Sequence, residues 1–512
     1  MADDRRREIR IIVMPTAIIA ALMLILLIFW WAINRPVHVT IPPQKTVKPN
    51  AYDFYKPRSS DPRVERWVVD WASRRDAWLR SPPSPPLGAP TARGLPAPGM
   101  QSGPCKPPPP PRILPPVPRV AYFDDYECAS LAERQAVLRG SEARLKRARA
   151  GFSYRCVVPR KFLDEQIAER FRVLGGMLVV DGQIRELHGD WDGALGSYVD
   201  SVRVSSDAAE SEVLRSAMLR LAANYNAWLC IDRVSGKSAR AASRRLDAIL
   251  NAQPSFADVL LEHKYRVQKW LAGFLGEERW RQRLLGYYDD WGVKDSLWKP
   301  KLRCHVASRA AIMGTSNRWL DLRIREARKP FPLDRTPDRR SMYNLSSFPD
   351  SVDSLQSFSV PRGTSDRRFW EYARAMDELL ATALALRAWK IEHGSYPGSL
   401  KQLVPRYLSK MPADPFAIRA SLHYRRKGTG YLLYSIGPDF EDNRGEPMRE
   451  DADLDKRGLD IVAGVTEVAP PLPHSLIAKR PVRRIPSSIV RWEPVSNLLD
   501  RSVPQGPPAP GM

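Results

Sequence analysis

The stretch that decides the fold is GSYPGSLKQLVPRYLSKMPADPF, residues Gly394–Phe416. Gly394 is predicted to end a helix over Arg367–His393, because glycine readily takes the left-handed conformation that follows a last helical turn. A tyrosine–proline pair then turns the chain. Ser399 can cap a short helix whose leucines line one side, and Pro412 ends it. The closing Asp-Pro-Phe sequence predicts another turn, with an aromatic ring that fills the space beneath it.

The residues that follow predict a small sheet. SLHYRR alternates as a strand does, KGTG supplies a hairpin turn with two glycines, and YLLYSIG returns as a second strand. An acidic loop follows over Asp439–Asp455, and LDIVAGV can form a third strand. The prediction for residues 364–468 is a long helix, capped by Thr364-Ser365-Asp366, on a three-stranded antiparallel sheet.

This order of elements resembles a known family. The residues HGSYPGSLKQLVPRYLSKMPADPF, LHYRRKGTGYLLYSIGPDFEDNRG and LDI resemble the globular domain of the major pseudopilin, protein G, of bacterial type II secretion. The resemblance covers about Arg367–Val465. The whole chain is similar to bacterial membrane-anchored proteins that carry such a head. It has no leader cleavage site and no early Glu in its apolar helix, so packing as a filament subunit is not expected.

The resemblance also implies a metal site. The family binds calcium in the loop before its last strand, where Asp439 and Asp460 match its Ser-x-Gly-x-Asp turn and its final Asp-Ile. Asp442 is added from the same loop, since hard oxygen ligands on a flexible loop suit calcium. The alternative is a solvated acidic loop in which Asp439 caps a turn.

The N-terminus predicts a membrane anchor. The run from Ile11 through Leu22 to Ile33 holds no charge and exceeds the roughly 20 residues that cross a bilayer. It ends at Trp30 and Trp31 rather than at the small residues of a cleavage site. Arginines are dense before it and sparse after it, which favours a cytoplasmic tail, residues 1–10, and a periplasmic bulk. The expected location is the bacterial inner membrane.

Between anchor and head the chain changes composition several times. The fold class predicted for the whole is mainly α, with a small α+β C-terminal domain. Proline-rich residues 81–118 are interpreted as a semi-rigid stalk between membrane and head. The remaining predicted segments are a juxtamembrane segment over 34–80 with a short helix at Asp61–Leu79, a helical domain over 119–328, a connecting loop over 329–363 and a basic, proline-rich disordered tail over 469–512.

The net charge and the cysteine spacing limit which partners and metal sites are expected. The net charge is +23, which suits lipid headgroups, an acidic envelope polymer or nucleic acid. No compact basic stripe with interleaved aromatics is present, so no nucleic acid is expected. The five cysteines match no zinc spacing.

Catalytic motifs are scarce. The chain has no HExxH, GxSxG or phosphate-binding glycine loop. His188 with Asp190 and Asp192 is interpreted as a helix-turn cluster rather than a site, and adjacent Cys304 and His305 cannot face each other on a helix. The expected function is presentation of the helical domain and the head to envelope proteins, with secretion or pilus components as candidates. The alternatives are a periplasmic enzyme with its site in the helical domain and a binder of an acidic envelope polymer.

Overall fold

The computed structural model describes residues 2–56, 131–160, 165–210, 213–282, 308–333, 363–447 and 460–463, with the side chains of the first helix described from Ile18. The described fold is mainly helical, with a small three-stranded antiparallel sheet, as predicted. The predicted helix at Asp61–Leu79, the proline-rich stretch, the tail and most of the 329–363 connection lie outside these residues.

The helices are α1 (Ala2–Asn34), α2 (Ala51–Tyr55), α3 (Leu131–Gly151), α4 (Glu165–Leu187), α5 (Trp191–Asp207), α6 (Val213–Cys230), α7 (Gly236–Ala252), α8 (Phe256–Gly276), α9 (Arg309–Ala327) and α10 (Gly363–His393). Short 3-10 helices span Phe331–Leu333 and Leu400–Leu403. The strands are β1 (His423–Lys427), β2 (Gly430–Ser435) and β3 (Ile461–Val462).

Side-chain caps fix several helix starts. Ser235 accepts a hydrogen bond from Ser238 N at the start of α7, and Ser255 forms a reciprocal capping box with Asp258 at the start of α8. Such caps satisfy amides that have no partner within the helix. They divide the middle of the chain into successive helices, in agreement with the helical domain predicted over residues 119–328.

The long helix α10 lies at the centre of the molecule. It packs against α6 and α7 on one side and against β2 and the Leu400–Leu403 helix on the other. Its side chains from Tyr372 to Leu386 are almost all buried. The many alanines among them allow neighbouring elements to approach closely, and a helix that is buried on most of its faces belongs in a core. The helical part and the α+β part therefore share one hydrophobic core.

The ends of α10 test two predictions. The helix stops at His393, where Gly394 has φ +76° and donates from its amide to Lys390 O at 2.8 Å, as predicted. It begins at Gly363, one turn before the predicted Arg367. The predicted capping residues 364–366 therefore belong to the first helical turn, and that prediction was wrong.

The sheet follows the predicted order. β1 and β2 pair antiparallel from His423↔Tyr434 to Lys427↔Gly430, and β3 pairs antiparallel with β2 through Ser435↔Ile461. β2 is buried along its length, whereas β1 is the outer strand and its last three residues are exposed. Phe416 is fully buried beneath the sheet, with its ring centroid 5.8 Å from that of Phe331.

The segment after α1 packs on the helical domain. Val37 and Val39 lie against the apolar cluster of α8 and α9, and α1 contacts α9. Farther along, Asn50 exchanges hydrogen bonds of 2.9 Å with the backbone of Val157. The chain thus reaches the folded domain before the proline-rich stretch begins. A stalk at residues 81–118 that separates α1 from the domain does not fit these contacts.

In the part of the chain that the structure describes, no helix is both long enough and apolar enough to cross a membrane.

Candidate functional site: the acidic loop between β2 and β3

The three predicted metal ligands lie near one another. Asp439 and Asp442 belong to the loop that leaves β2, and Asp460 stands immediately before β3. The negative charges of Asp442 and Asp439 both act on Asp460. The sequence therefore placed these three carboxylates correctly in one loop.

Asp460 holds the loop in place through hydrogen bonds from a buried position. Its carboxylate is fully buried and accepts hydrogen bonds from Asn443 N at 3.2 Å and Gly445 N at 2.6 Å. Its own amide donates to Glu446 O at 2.9 Å. Gly445 has φ +84°, and a Cβ there would lie 2.8 Å from the Leu432 side chain. This tight fold of the loop onto the sheet therefore requires glycine.

Asp439 and Asp442 accept hydrogen bonds from the part of the loop that follows β2. Asp439 accepts from Glu441 N and from the Asn443 side chain, both at 3.2 Å. Asp442 accepts from Tyr434 OH at 3.1 Å and from Arg444 N at 2.8 Å. The Asp439 contacts are those of a capped turn, which is the alternative that the sequence left open.

Burial and neighbouring negative charges raise the pKa values of two aspartates in this loop. Burial raises the pKa of Asp460, and the nearby charges of Asp442 and Asp439 raise it further, while the hydrogen bonds from Gly445 and Asn443 oppose the shift. Burial also raises the pKa of Asp439, with repulsion from Glu441 acting in the same direction. The described part of the loop is held together mainly by neutral amides.

The donor types suit calcium, but their arrangement falls short of a complete site. Among the residues described, no group of three or more His, Cys, Asp or Glu side chains is placed to hold a metal ion. Each predicted ligand is engaged with amides or a hydroxyl of the hairpin and loop. The calcium site stays a prediction.

The aromatic ring of His423 connects β1 to this loop. It stacks on Tyr434 with the ring centroids 4.8 Å apart, and its Nδ1 lies 3.8 Å from Asp442 Oδ2. The side chains of His423 and Asp442 are both partly exposed. Sequence reasoning passed over His423, although its position in the first strand places it opposite Tyr434 in a hairpin.

The His188 region forms a helix-turn cluster, as expected. Asp190 caps α5 by accepting from Gly193 N at 2.9 Å and pairs with Arg185. Asp192 accepts from Ser235 N and Oγ at 2.9 and 2.7 Å. Cys304 and His305 lie outside the described residues. Asp190 therefore caps α5, and Asp192 connects α5 to the start of α7.

A buried polar cluster between α6 and α10 was missed. Arg220 and Asp377 have side chains 0% and 1% exposed and form an ion pair, with Arg220 Nε donating to Asp377 Oδ2 at 2.9 Å. Asn224 Nδ2 donates to Asp377 Oδ1 at 2.9 Å. The available signal was the adjacent pair Asp377 and Glu378 within the Ala- and Leu-rich part of α10, with Arg220 and Asn224 one turn apart on an apolar helix.

The predicted anchor residues fall on α1. Leu22 is 53% exposed, and Ile33 uses its carbonyl oxygen to accept from Arg281 Nη2 at 3.2 Å. The side chain of Ile11 is outside the described part. The end of α1 is thus attached to the helical domain.

The chain matches no family model, and no curated protein or solved structure is significantly similar to it.

Proposed function

We propose that the chain is a single-pass protein of the bacterial inner membrane, with a cytoplasmic N-terminus, which presents its helical domain and pseudopilin-like head to envelope proteins. Components of a secretion or pilus assembly are the candidate partners. The observation that carries the proposal is the order at the C-terminal part: a long helix that ends at Gly394, a short 3-10 helix, a hairpin, an acidic loop and a third strand. This is the order that the pseudopilin resemblance implies.

The packing of α10 limits how this head can meet a partner. Both sides of the helix are covered, by α6 and α7 and by the sheet, so its surface is closed to a neighbouring subunit. The exposed residues of the head include Arg425, Arg426 and Lys427 on the outer strand β1, beside the loop that carries Asp442. A partner of the head would meet a basic strand next to an acidic loop.

The membrane part of the proposal is supported by the sequence and by exposure. Residues 11–33 carry no charge. The large apolar side chains between Ile18 and Trp31 are 50–62% exposed, so they do not pack into the protein core. Such a surface is stable in contact with hydrocarbon.

Photo-crosslinking in membranes tests the presentation of the head. A photoreactive residue at Arg426 on β1 is expected to give adducts with a secretion or pilus component. The matched control carries it at Lys237, an exposed position on α7 of the helical domain. Adducts from Lys237 alone, or none from either position, would contradict a head that recruits the partner.

Calcium is proposed as a ligand of the acidic loop. The raised pKa of Asp460 comes partly from Asp442 and Asp439, and a cation would relieve that repulsion. Calorimetric titration with calcium is expected to give a binding isotherm that Asp439→Asn with Asp442→Asn removes. The same double substitution at Asp190 and Asp192 is the control, and a titration without heat from the unaltered chain would rule calcium out.

The alternatives give different results in simple assays. Binding of an acidic polymer by the exposed β1 arginines predicts an affinity that falls steeply with salt. An enzyme in the helical domain predicts polar groups there that can contact a substrate. Arg220 and Asn224 are engaged with Asp377, and Arg160 with Glu262, whereas the buried guanidinium of Arg266 forms no hydrogen bond among the described residues.

A further inference from the structure

Strand β1 is an outer strand of the sheet. The order β1-β2-β3 pairs it with β2 on one side and leaves its other edge facing outward. Exposure rises along the strand toward the hairpin turn, from half-buried His423 and Tyr424 to exposed Arg425, Arg426 and Lys427. The backbone amides and carbonyls of such an edge can pair with another strand.

The register shows which backbone groups of β1 face outward. Lys427 and Gly430 flank the two-residue hairpin turn, and residues in that position exchange both of their backbone hydrogen bonds. Hydrogen bonds to β2 therefore fall on every second residue of β1, counted back from Lys427. The amides and carbonyls of Tyr424 and Arg426 point away from β2, toward the outer edge.

The start of this edge already holds an antiparallel neighbour from the same chain. Leu422 N donates to Pro412 O at 3.1 Å, and Asp414 N donates to Ala420 O at 3.0 Å. Leu422 stands two residues before Tyr424, so both amides lie on the same side of the strand. Among the residues that the structure describes, none continues this pairing beside Tyr424. The edge is therefore shaped for a strand and is open toward the turn.

The exposed charges select the kind of strand that fits. Arg425, Arg426 and Lys427 are consecutive, and the acidic loop contacts β1 at His423, the end away from the turn. A second copy of β1 would bring like charges opposite one another, which destabilises strand pairing. An extended segment with acidic side chains would instead place opposite charges across the two strands.

We propose that the outer edge of β1, from Tyr424 to Lys427, binds an extended acidic segment of an envelope protein as a fourth, antiparallel strand. The inference rests on the proposed function of the head and adds the chemistry of the partner. Acidic side chains of the added strand lie opposite Arg425 and Lys427, and β-branched ones lie opposite Tyr424 and Arg426. Backbone hydrogen bonds supply affinity, and the side-chain pairs supply the preference for acidic segments.

The test uses the detergent-solubilised full chain and a synthetic peptide of alternating glutamate and valine, about six residues long and blocked at both ends. Binding is expected to slow amide hydrogen exchange at Tyr424 and Arg426. The amides of Arg425 and Lys427 should change little, because they already donate to β2. Attraction by charge alone would not produce this alternation. A peptide with lysine in place of glutamate is the control and should not bind.

A proline variant separates the backbone of β1 from its charge. R426P removes an outward amide that the hairpin does not use, a place where edge strands tolerate proline. It should weaken peptide binding by about tenfold or more. R426Q is the matched control, since it loses the same charge and keeps the amide, and it should weaken binding only about twofold.

A modified peptide gives the same test without altering the protein, in case R426P unfolds the hairpin. Methyl groups on the valine amides keep the charge of the peptide and block the amides that would face Tyr424 and Arg426. The methylated peptide should bind about tenfold more weakly or less. Equal binding of both peptides would show attraction by charge alone, as for an acidic polymer, and would overturn strand addition. Failure of the unmodified peptide to bind would overturn it too.

Crosslinking from Lys427 in membranes separates this inference from the proposed function. Adducts with an envelope protein that persist unchanged in R426P would overturn the added strand and leave the head as the recruiting surface. Peptide binding that R426P removes, without adducts in membranes, would support the strand site and contradict recruitment of an envelope partner.

Discussion

Asp377 in α10 and Asp460 before β3 are both buried carboxylates, but their partners differ. Asp377 is held by Arg220 and Asn224, which lie more than 150 positions earlier in the sequence. Asp460 is held by the amides of Asn443 and Gly445, within its own loop. Burial raises the pKa of both groups, and a cation opposes the shift only at Asp377.

The difference separates two uses of a buried charge. At the α6–α10 interface, charge joins distant elements, and each partner is costly to leave alone. In the acidic loop, the carboxylate arranges local backbone, and no basic side chain among the described residues forms an ion pair with it. Only the second arrangement leaves a region able to attract a cation.

Removal of Asp377 should have the largest effect. Asp377→Ala leaves Arg220 buried without its anion, and we expect it to lower the free energy of unfolding by about 3–5 kcal/mol. Urea unfolding of the detergent-solubilised chain measures the loss. Arg220→Met with Asp377→Leu should recover most of it, because an apolar pair of similar volume needs no partner. A loss below about 1 kcal/mol for Asp377→Ala would show that the ion pair does not hold this interface.

Glu378, next to Asp377, gives a pH test of the same interface. Burial raises its pKa from the ordinary 4.5 to about 7, against the nearby cations Arg374 and Lys410, and Asp247 and Asp377 add to the shift. A raised pKa means that the neutral acid is favoured in the folded state. Its stabilising effect is complete below about pH 4.5 and is lost as the pH rises through 7.

Substitution by glutamine should remove this dependence. The unaltered chain is expected to lose about 3 kcal/mol between pH 4.5 and 8 relative to Glu378→Gln, which should be the more stable of the two at pH 8. Melting temperatures of both proteins across this range provide the comparison. Parallel curves would mean that Glu378 ionises normally.

Asp460 should matter less, because its partners are neutral. Asp460→Asn keeps one acceptor oxygen and leaves one loop amide without a partner, which costs about 1–2 kcal/mol. Hydrogen exchange should accelerate at Asn443 or Gly445 and stay unchanged in the β1–β2 pairing. The control is Asp442→Asn, an exposed position in the same loop, with an expected change within about 0.5 kcal/mol. Equal losses of unfolding free energy at the two positions would show that the buried Asp460 does not stabilise the loop more than the exposed Asp442.

The smallest expected effect is at Gly394, where α10 ends and the chain turns toward the sheet. Gly394 has φ +76° with open space around it, so Gly394→Ala carries only the backbone cost, about 1 kcal/mol. Gly273 lies inside α8 and is also surrounded by open space, so alanine at this position is the control with the opposite expected sign. Gly273→Ala should raise the unfolding free energy by up to about 1 kcal/mol. Destabilisation by both changes would point to a steric cause instead.

Local chemistry explains which parts were predictable. The helix stop at Gly394 and the hairpin turn at Gly428 were predictable because glycine readily takes the positive φ that both positions adopt. The third strand was predictable from its β-branched residues Ile461 and Val462. The short helix that was predicted to run from the Ser399 cap to Pro412 is a 3-10 helix over Leu400–Leu403 only, so its predicted length was wrong. It ends after one turn because Val404 precedes Pro405, and the residue before a proline is disfavoured in helical conformation.

The acidic loop was predictable only in part. The spacing of Asp439, Asp442 and Asp460 placed them in one loop. The direction of each carboxylate depends on the left-handed residues Phe440 and Arg444, which turn the amides toward the acids. Left-handed conformations of non-glycine residues are uncommon and have no clear sequence signal.

By itself the sequence determined the elements: where the long helix ends, how the hairpin closes, and where an uncharged run begins and ends. These features depend on each residue and its near neighbours, through backbone preference and apolar spacing. Only the tertiary structure decided that α10 lies between the helical domain and the sheet, that Asp377 meets Arg220, and that α1 is fixed to α8 and α9. Those contacts join residues far apart in the chain, and apolar surface can be buried in many arrangements until shape and charge select one.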